Sequence, residues 1–171
     1  MKFLKLAFIS LLLLILLVVG MAMLIPSHVR ISRAIDITGS REVIMKELSD
    51  LREWPSWNEF VVDSILKSPV YTEKSIQSDK LTITLIKATG DSVIAKWHNV
   101  QQELIGGFNI IPSHDQFVVQ WYFDFNQKWY PWEKFASIGF DKQYGPLMEN
   151  SLSLLKKRIE QSGEQLKLDN Q

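Results

Sequence analysis

The sequence predicts an α+β domain preceded by one apolar helix, and three observations support this. Residues 6–25 form an uncharged apolar run near the N-terminus. Several later segments alternate apolar and polar residues, which is the period of half-buried β-strands. An apolar stripe at helical spacing occupies the last part of the chain. The predicted order is therefore a strand, a helix, consecutive antiparallel strands and a long final helix.

Composition excludes several functions before any motif is considered. The 171 residues include 19 Lys and Arg, 19 Asp and Glu, and no Cys, so the formal net charge is zero. Because a phosphate-binding surface is basic, this balance argues against a nucleic-acid partner. The lack of Cys excludes disulfides, thiol catalysis and Cys-ligated zinc.

The apolar run of residues 6–25 is long enough to cross a membrane. At a rise of about 1.5 Å per residue, its 20 residues span about 30 Å, the thickness of a bilayer's hydrocarbon core. A cleaved signal peptide is the alternative, since Gly20 and Ala22 are small residues at a suitable spacing. The run continues beyond Ala22, which favours a retained anchor over residues 1–27.

Charges around this segment favour a cytoplasmic N-terminus only slightly. Lys2 and Lys5 precede it, whereas Arg30 and Arg33 follow it. Only five residues precede the apolar run and a long domain follows. We therefore expect a single-pass protein of the bacterial inner membrane whose domain faces the periplasm.

The first elements of the domain are a strand and a helix. Residues 29–37 alternate as a half-buried strand, and Ser40 can cap the helix that follows. This helix places Ile44, Leu48 and Leu51 on one face. Pro55 prevents it from continuing undisturbed. Residues 58–80 are harder to interpret, because Val61, Val62, Ile65 and Leu66 fit either a short helix or an edge strand.

Four further strands and a helix complete the predicted domain over residues 28–163. The strands are 81–88, 93–101, 108–111 and 116–125, with Gly106 and Gly107 as a turn or bulge that opens the third. Pro146 suits the first turn of the final helix. Its apolar stripe consists of Leu147, Met148, Leu152, Leu155 and Ile159. Residues 164–171 are expected to be a flexible tail.

Three segments, residues 33–57, 129–135 and 144–157, carry a family resemblance. Together with the order of elements, they resemble the START-like helix-grip superfamily, also called SRPBCC, with its polyketide cyclase/dehydrase and lipid-transport branches. The family commonly has Ala-Pro before its first helix, where this chain has Gly39 and Ser40. The resemblance implies a curved antiparallel sheet wrapped around the C-terminal helix, with a hydrophobic cavity between them. It does not imply one activity.

No catalytic motif accompanies this fold. His28, His98 and His114 are scattered, so neither a metal site nor a cofactor is expected. The sequence contains no nucleophile elbow, phosphate-binding glycine loop or dinucleotide fingerprint. If an acid–base pair exists, His98, Asp124 and Glu133 are its candidate members.

The aromatic residues are the more informative group. We predict that Trp97, Phe108, Trp121, Trp129 and Trp132 line a ligand cavity. Core packing is the alternative for Trp121, while Trp129 and Trp132 could instead contact the bilayer interface, where Trp is favoured.

The sequence therefore favours a membrane-tethered binding module for a lipid or another hydrophobic small molecule. Two alternatives stay open, namely a cyclase or dehydratase acting on a bound ligand and a ligand-free interaction module of the cell envelope. The sequence identifies no protein partner.

Overall fold

The computed structural model describes residues 2–62, 66–100 and 102–168. Its helices are α1 (Lys2–Leu24), α2 (Arg41–Ser49), α3 (Pro131–Ser137) and α4 (Phe140–Leu168). Its strands are β1 (His28–Ile37), β2 (Val70–Tyr71), β3 (Ser75–Gln77), β4 (Leu81–Thr89), β5 (Ser92–Asn99), β6 (Glu103–Ser113) and β7 (Gln116–Asn126). A 3-10 turn at Trp54–Ser56 follows α2.

The strands form one curved antiparallel sheet in the order β1-β7-β6-β5-β4-β3-β2. Consecutive strands from β2 to β7 are neighbours, as expected for a series of hairpins. Strand β1 pairs with β7 along its whole length, from His28 opposite Asn126 to Ile37 opposite Phe117. Helix α4 packs against β1, so the C-terminal helix lies across the sheet as predicted.

Local sequence determines the start and the end of α2. The side chain of Ser40 caps the helix by accepting a hydrogen bond from the Val43 N–H at 3.3 Å. Ile44 and Leu48 are fully buried on its inner face. The Trp54 indole N–H then donates to the Leu48 carbonyl at 3.1 Å, which closes the turn that Pro55 forces.

The core lies between the concave face of the sheet and helices α2 and α4. Alternate residues of β5 to β7 point into it, as the period of a strand requires. Helix α4 contributes a buried stripe of Met148, Leu152, Leu155 and Ile159. Arg33, which interrupts the apolar face of β1, pairs instead with Asp141 and Glu149 of α4 at 2.9 and 2.5 Å.

The prediction that Gly106 and Gly107 form a turn or bulge is wrong. Both lie inside β6, which starts five residues before Phe108. A Cβ at position 106 would lie 2.6 Å from Cε1 of Phe123, and one at position 107 would lie 2.5 Å from Oη of Tyr122. These glycines therefore allow aromatic rings of β7 to lie against the backbone of β6, one ring on each face.

The prediction that Pro146 begins the last helix is also wrong. Helix α4 begins at Phe140 and contains Pro146 in its interior. The aromatic rings of Phe140 and Tyr144 pack on Phe125 with centroid separations of 4.6 and 5.0 Å. This packing stabilises the turns of α4 that precede Pro146. Without it, the proline would favour a helix that begins near residue 146.

In the described part of residues 58–80 the regular elements are two short edge strands, and neither includes Val61, Val62 or Leu66. Strands β2 and β3 pair antiparallel at the edge of the sheet. Val61 lies in a turn and is fully buried, and Val62 is in neither a helix nor a strand. The Ile65 part of the prediction lies outside the described residues.

Helices α1 and α3 meet at the N-terminal end of the domain. By length and composition, α1 is able to cross a membrane, although a signal sequence has the same properties. Helix α3 was not predicted, and it begins at Pro131 in the first helical position, where proline is favoured. Its contacts with α1 place the aromatic segment of residues 129–132 beside the end of the apolar helix.

Candidate functional site

An apolar cavity of about 210 Å³ lies at one end of the sheet, under the first turns of α4. Strands β4 to β7, helix α4 and the segment after the 3-10 turn contribute to its wall. Its lining consists of Phe60, Leu66, Lys80, Leu81, Trp97, Asn99, Leu104, Phe123 and Tyr144. Mostly apolar walls with a few polar groups are typical of sites for small hydrophobic ligands.

The register of the sheet brings the strand residues of this wall together. Trp97 of β5 lies opposite Leu104 of β6, so the two side chains share the concave face. The rings of Trp97 and Phe123 meet edge to face at 5.1 Å. They are able to do so because Gly106 lies beneath them without a side chain.

Phe60 covers the cavity from the opposite side. Its ring stacks on that of Tyr144 at 6.2 Å and meets Trp97 edge to face at 6.0 Å. Two hydrogen bonds hold this segment in place. The N–H of Phe60 donates to Oδ1 of Asn58 at 3.1 Å, and the N–H of Glu59 donates to Oγ of Ser151 in α4 at 3.0 Å.

Four residues of the cavity wall, Lys80, Trp97, Asn99 and Tyr144, carry polar side-chain atoms. Burial raises the pKa of Tyr144, outweighing the hydrogen bond from Gln102, so its phenol is protonated and neutral at pH 7. Nε1 of Trp97 is buried and has no acceptor among the described residues. A buried N–H without an acceptor costs about 1–3 kcal/mol, so an acceptor at this position would be favourable.

The five predicted cavity residues fall into two groups in the structure. Trp97 lines the cavity, while Phe108 and Trp121 stack on each other at 5.0 Å in the adjoining core. Trp54 and Trp57 join that core cluster. Trp129 and Trp132 lie elsewhere, with 71% and 67% of their surface exposed. The structure thus brings Trp97, Phe108 and Trp121 together, and ligand contact remains a prediction for all five.

Sequence reasoning missed most of the lining. Phe60 and Leu66 lie in the region that had no clear period, and Tyr144 lies in the part of α4 that precedes its proline. Leu104 precedes the glycine pair that was interpreted as a turn. The only sequence signal for these residues was the apolar alternation of Leu104, Gly106 and Phe108 along β6.

The candidate acid–base residues do not form a pair. His98 is exposed, and its Nδ1 lies 3.9 Å from Oε2 of Glu103. Asp124 accepts two hydrogen bonds from Arg30 at 2.6 and 2.7 Å. Glu133 accepts from the backbone N–H of Lys128 at 2.9 Å. Within the described ranges, no group of three or more His, Asp and Glu residues could hold a metal ion.

A polar groove of about 460 Å³ lies on the other side of Tyr144. Strand β7, helix α3 and the start of β6 form its walls, and its polar residues are Gln102, Glu103, Asn126, Gln127, Lys128 and Glu133. Tyr144 lines the cavity and Gln102 lines the groove. The hydrogen bond between these two side chains therefore separates an apolar site from a polar one.

No protein-family model and no curated protein matches the chain. Solved structures do match it. A START superfamily protein from Mycobacterium smegmatis is 18% identical, with a TM-score of 0.53, over 77% of this chain and 97% of that protein. A protein from Nitrosospira multiformis is 13% identical, with a TM-score of 0.56, over 77% of this chain and 96% of that protein.

A third similar structure is StfQ, a di-domain ARO/CYC protein from the steffimycin biosynthetic pathway. It is 13% identical to this chain, with a TM-score of 0.58, over 80% of this chain and 52% of StfQ. At these identities the likeness concerns the fold. The domain has the START-like helix-grip fold, in which a curved antiparallel sheet surrounds the C-terminal helix.

Proposed function

We propose that this protein is a membrane-tethered binding module for a hydrophobic small molecule or a single-chain lipid. The observation that supports the proposal is the apolar cavity bounded by Trp97, Leu104, Phe123 and Tyr144. Burying apolar surface contributes about 25 cal/mol per Å². A ligand that fills the cavity would therefore bind mainly by apolar contact.

The volume of the cavity restricts the class of ligand. At about 210 Å³ it is smaller than the usual small-molecule pocket of roughly 300–1,000 Å³. The aromatic core cluster around Trp121 and Phe108 occupies the neighbouring space on the concave face. A short acyl chain or one ring system fits this volume, whereas a two-chain phospholipid does not.

The polar side chains of the wall, which include Lys80 and Asn99, favour a ligand with an oxygen acceptor. The buried indole N–H of Trp97 is a donor without an acceptor among the described residues. Tyr144 adds a neutral hydroxyl. A carbonyl or hydroxyl group on the ligand would match these groups better than a hydrocarbon alone.

Membrane tethering would supply such a ligand to the cavity. Helix α1 is long and apolar enough to act as the tether. A tethered domain experiences a high effective concentration of any molecule dissolved in the same membrane. We propose that the domain faces the periplasm of a bacterial inner membrane, because Lys2 and Lys5 precede the span and positive charges favour the cytoplasmic side.

The test is native mass spectrometry of the full chain released from mild detergent. We expect a reproducible bound mass on the wild type. Leu104→Phe should remove it, because the larger ring enters the cavity. Leu154→Phe is the matched control, since Leu154 is exposed on α4. A wild-type spectrum with no bound mass, or equal occupancy in both variants, would contradict the proposal.

A further inference from the structure

We infer that Trp129, Trp132 and Ile138 form a surface that inserts into the interfacial region of the bilayer crossed by α1. Trp129 lies before α3, Trp132 lies within it, and Ile138 follows its last residue. The inference rests on the tether in the proposed function and adds the orientation of the domain. The occupant of the surface is the lipid of the same membrane.

The exposure of these side chains is the first argument. Trp129, Trp132 and Ile138 are 71%, 67% and 66% exposed, within ten residues of the chain. The other four Trp residues, which are Trp54, Trp57, Trp97 and Trp121, are buried in the core. Large apolar side chains that are concentrated on one surface indicate an interaction site, whereas isolated ones do not.

The position of the surface is the second argument. Nζ of Lys134 in α3 donates a hydrogen bond to the carbonyl of Ile25 at 2.6 Å, and Lys134 is buried. Ile25 ends the apolar run, one residue after α1. Ala22, one turn earlier, is also buried. Helix α3 is therefore fixed at the depth where the span leaves the hydrocarbon core.

The chemistry of the residues is the third argument. The rings of Tyr130 and Trp132 stack at 4.8 Å, and those of Trp129 and Tyr130 lie 5.0 Å apart. Trp and Tyr are enriched at membrane–water interfaces because they combine an apolar ring with a polar tip. The exposed Lys128 next to Trp129 adds a positive charge that suits lipid phosphates.

A bilayer fits this surface better than a protein partner. The surface is continuous with the end of a membrane-crossing helix, so insertion of α1 brings the aromatic side chains to the bilayer without any further association. The polar groove has Glu133 and Ala136 of α3 in its wall. Seating α3 on the membrane would therefore place this groove close to the lipid headgroups.

The experiment uses the full chain in lipid nanodiscs and measures Trp fluorescence with two quenchers. One quencher is phosphatidylcholine brominated near the headgroup end of its acyl chains, and the other is iodide in the buffer. We expect strong quenching by the brominated lipid and little by iodide. Trp129→Phe/Trp132→Phe should lose most of the lipid quenching, because the remaining four Trp residues are buried.

Trp57→Phe is the matched control, because it removes a buried indole outside the cavity wall and should not lower the lipid quenching. The single variants Trp129→Phe and Trp132→Phe should each lose part of the quenching. Quenching by iodide with none by brominated lipid would overturn the inference, as would a chain that does not stay in the nanodisc. Cavity occupancy by mass spectrometry is read separately. If the wild type carries a bound ligand but shows no quenching by the brominated lipid, only this inference is overturned. If the wild type is quenched by the lipid but has an empty cavity, only the proposed ligand binding is overturned.

Discussion

Oη of Tyr144 accepts a hydrogen bond from Nε2 of Gln102 at 3.1 Å, and this contact joins α4 to the connection between β5 and β6. The apolar cavity lies on one side of the pair and the polar groove on the other. The two side chains thus form the boundary between the cavity and the groove.

Tyr144→Phe is expected to open this boundary while leaving the fold intact. The ring contacts with Phe60 and Phe125 remain, and only the hydrogen bond with Gln102 is lost. Such a bond contributes about 0.5–1.5 kcal/mol to stability. We expect a loss of that size in urea unfolding, and faster hydrogen exchange at the end of β5 and the start of β6.

Tyr122→Phe is the control for this variant. Tyr122 lies on the opposite face of the sheet, where Arg30 packs over its ring at 4.4 Å. The Tyr122→Phe variant should therefore have the same hydrogen exchange rates around the cavity as the wild type. Equal exchange rates in wild type and Tyr144→Phe would show that the hydrogen bond does not close the boundary.

Gly106→Ala is expected to destabilise the domain by about 1–3 kcal/mol, the usual cost of overpacking a core. The new methyl group would lie 2.6 Å from the Phe123 ring and 2.8 Å from Nε1 of Trp97. Both rings belong to the cavity wall, so bound-ligand occupancy should fall as well. Chemical unfolding and native mass spectrometry measure the two effects.

Gly163→Ala is the matched control within α4. A Cβ at position 163 would meet nothing within 4 Å. Because alanine favours a helix over glycine by about 1 kcal/mol, this variant should be as stable as the wild type or more so. A Gly106→Ala protein with wild-type stability would mean that the rings can move aside at no cost.

The strands of this domain could be predicted because their alternation is regular. Strand β7 alternates buried Val119, Trp121, Phe123 and Phe125 with more exposed residues, and its predicted bounds differ from the observed ones by one residue. The alternation of β6 is equally regular, but two of its positions are glycines. Glycine is ambiguous in a sequence, since a turn and a close ring contact both require it.

The start of α2 could be predicted from Ser40, but the start of α4 and the cavity could not, because both depend on tertiary packing. Nothing local indicates that Phe140 and Tyr144 pack on Phe125 and thereby extend α4 before its proline. The cavity similarly depends on how far Phe60, in an irregular segment, reaches across the sheet. Aromatic content predicts a bulky interior, but it does not distinguish filled space from open space.

Arg158→Met is expected to destabilise the protein by on the order of 1 kcal/mol at neutral pH. Arg158 of α4 donates to Glu47 at 2.8 Å and to Glu53 at 2.5 Å. Burial raises the pKa of Glu47, while Arg158 lowers it. Without the guanidinium group this pKa should rise further, which NMR titration of the Glu47 carboxyl would detect.

The sign of the pH dependence follows from this raised pKa. A buried carboxylate destabilises the folded state above its folded pKa, and protonation relieves the cost as the pH falls. The stability deficit of Arg158→Met should therefore be largest near pH 7 and shrink as the pH falls through the raised pKa of Glu47. Lys157→Met is the control, since Lys157 is exposed, and a deficit independent of pH would contradict this account.

Lys134→Met is expected to loosen α3 from the end of α1. The substitution keeps the apolar stem but removes the hydrogen bond to the Ile25 carbonyl, and that bond is charge-assisted. Hydrogen bonds to charged groups contribute about 1.5–3 kcal/mol. In nanodiscs we expect faster hydrogen exchange in α3 and weaker quenching of Trp129 and Trp132 by brominated lipid.

The control variant Lys128→Met removes an exposed cation nearby and should leave the hydrogen exchange of α3 unchanged. If Lys134→Met matched the wild type in both measurements, packing alone would hold α3 at the membrane surface.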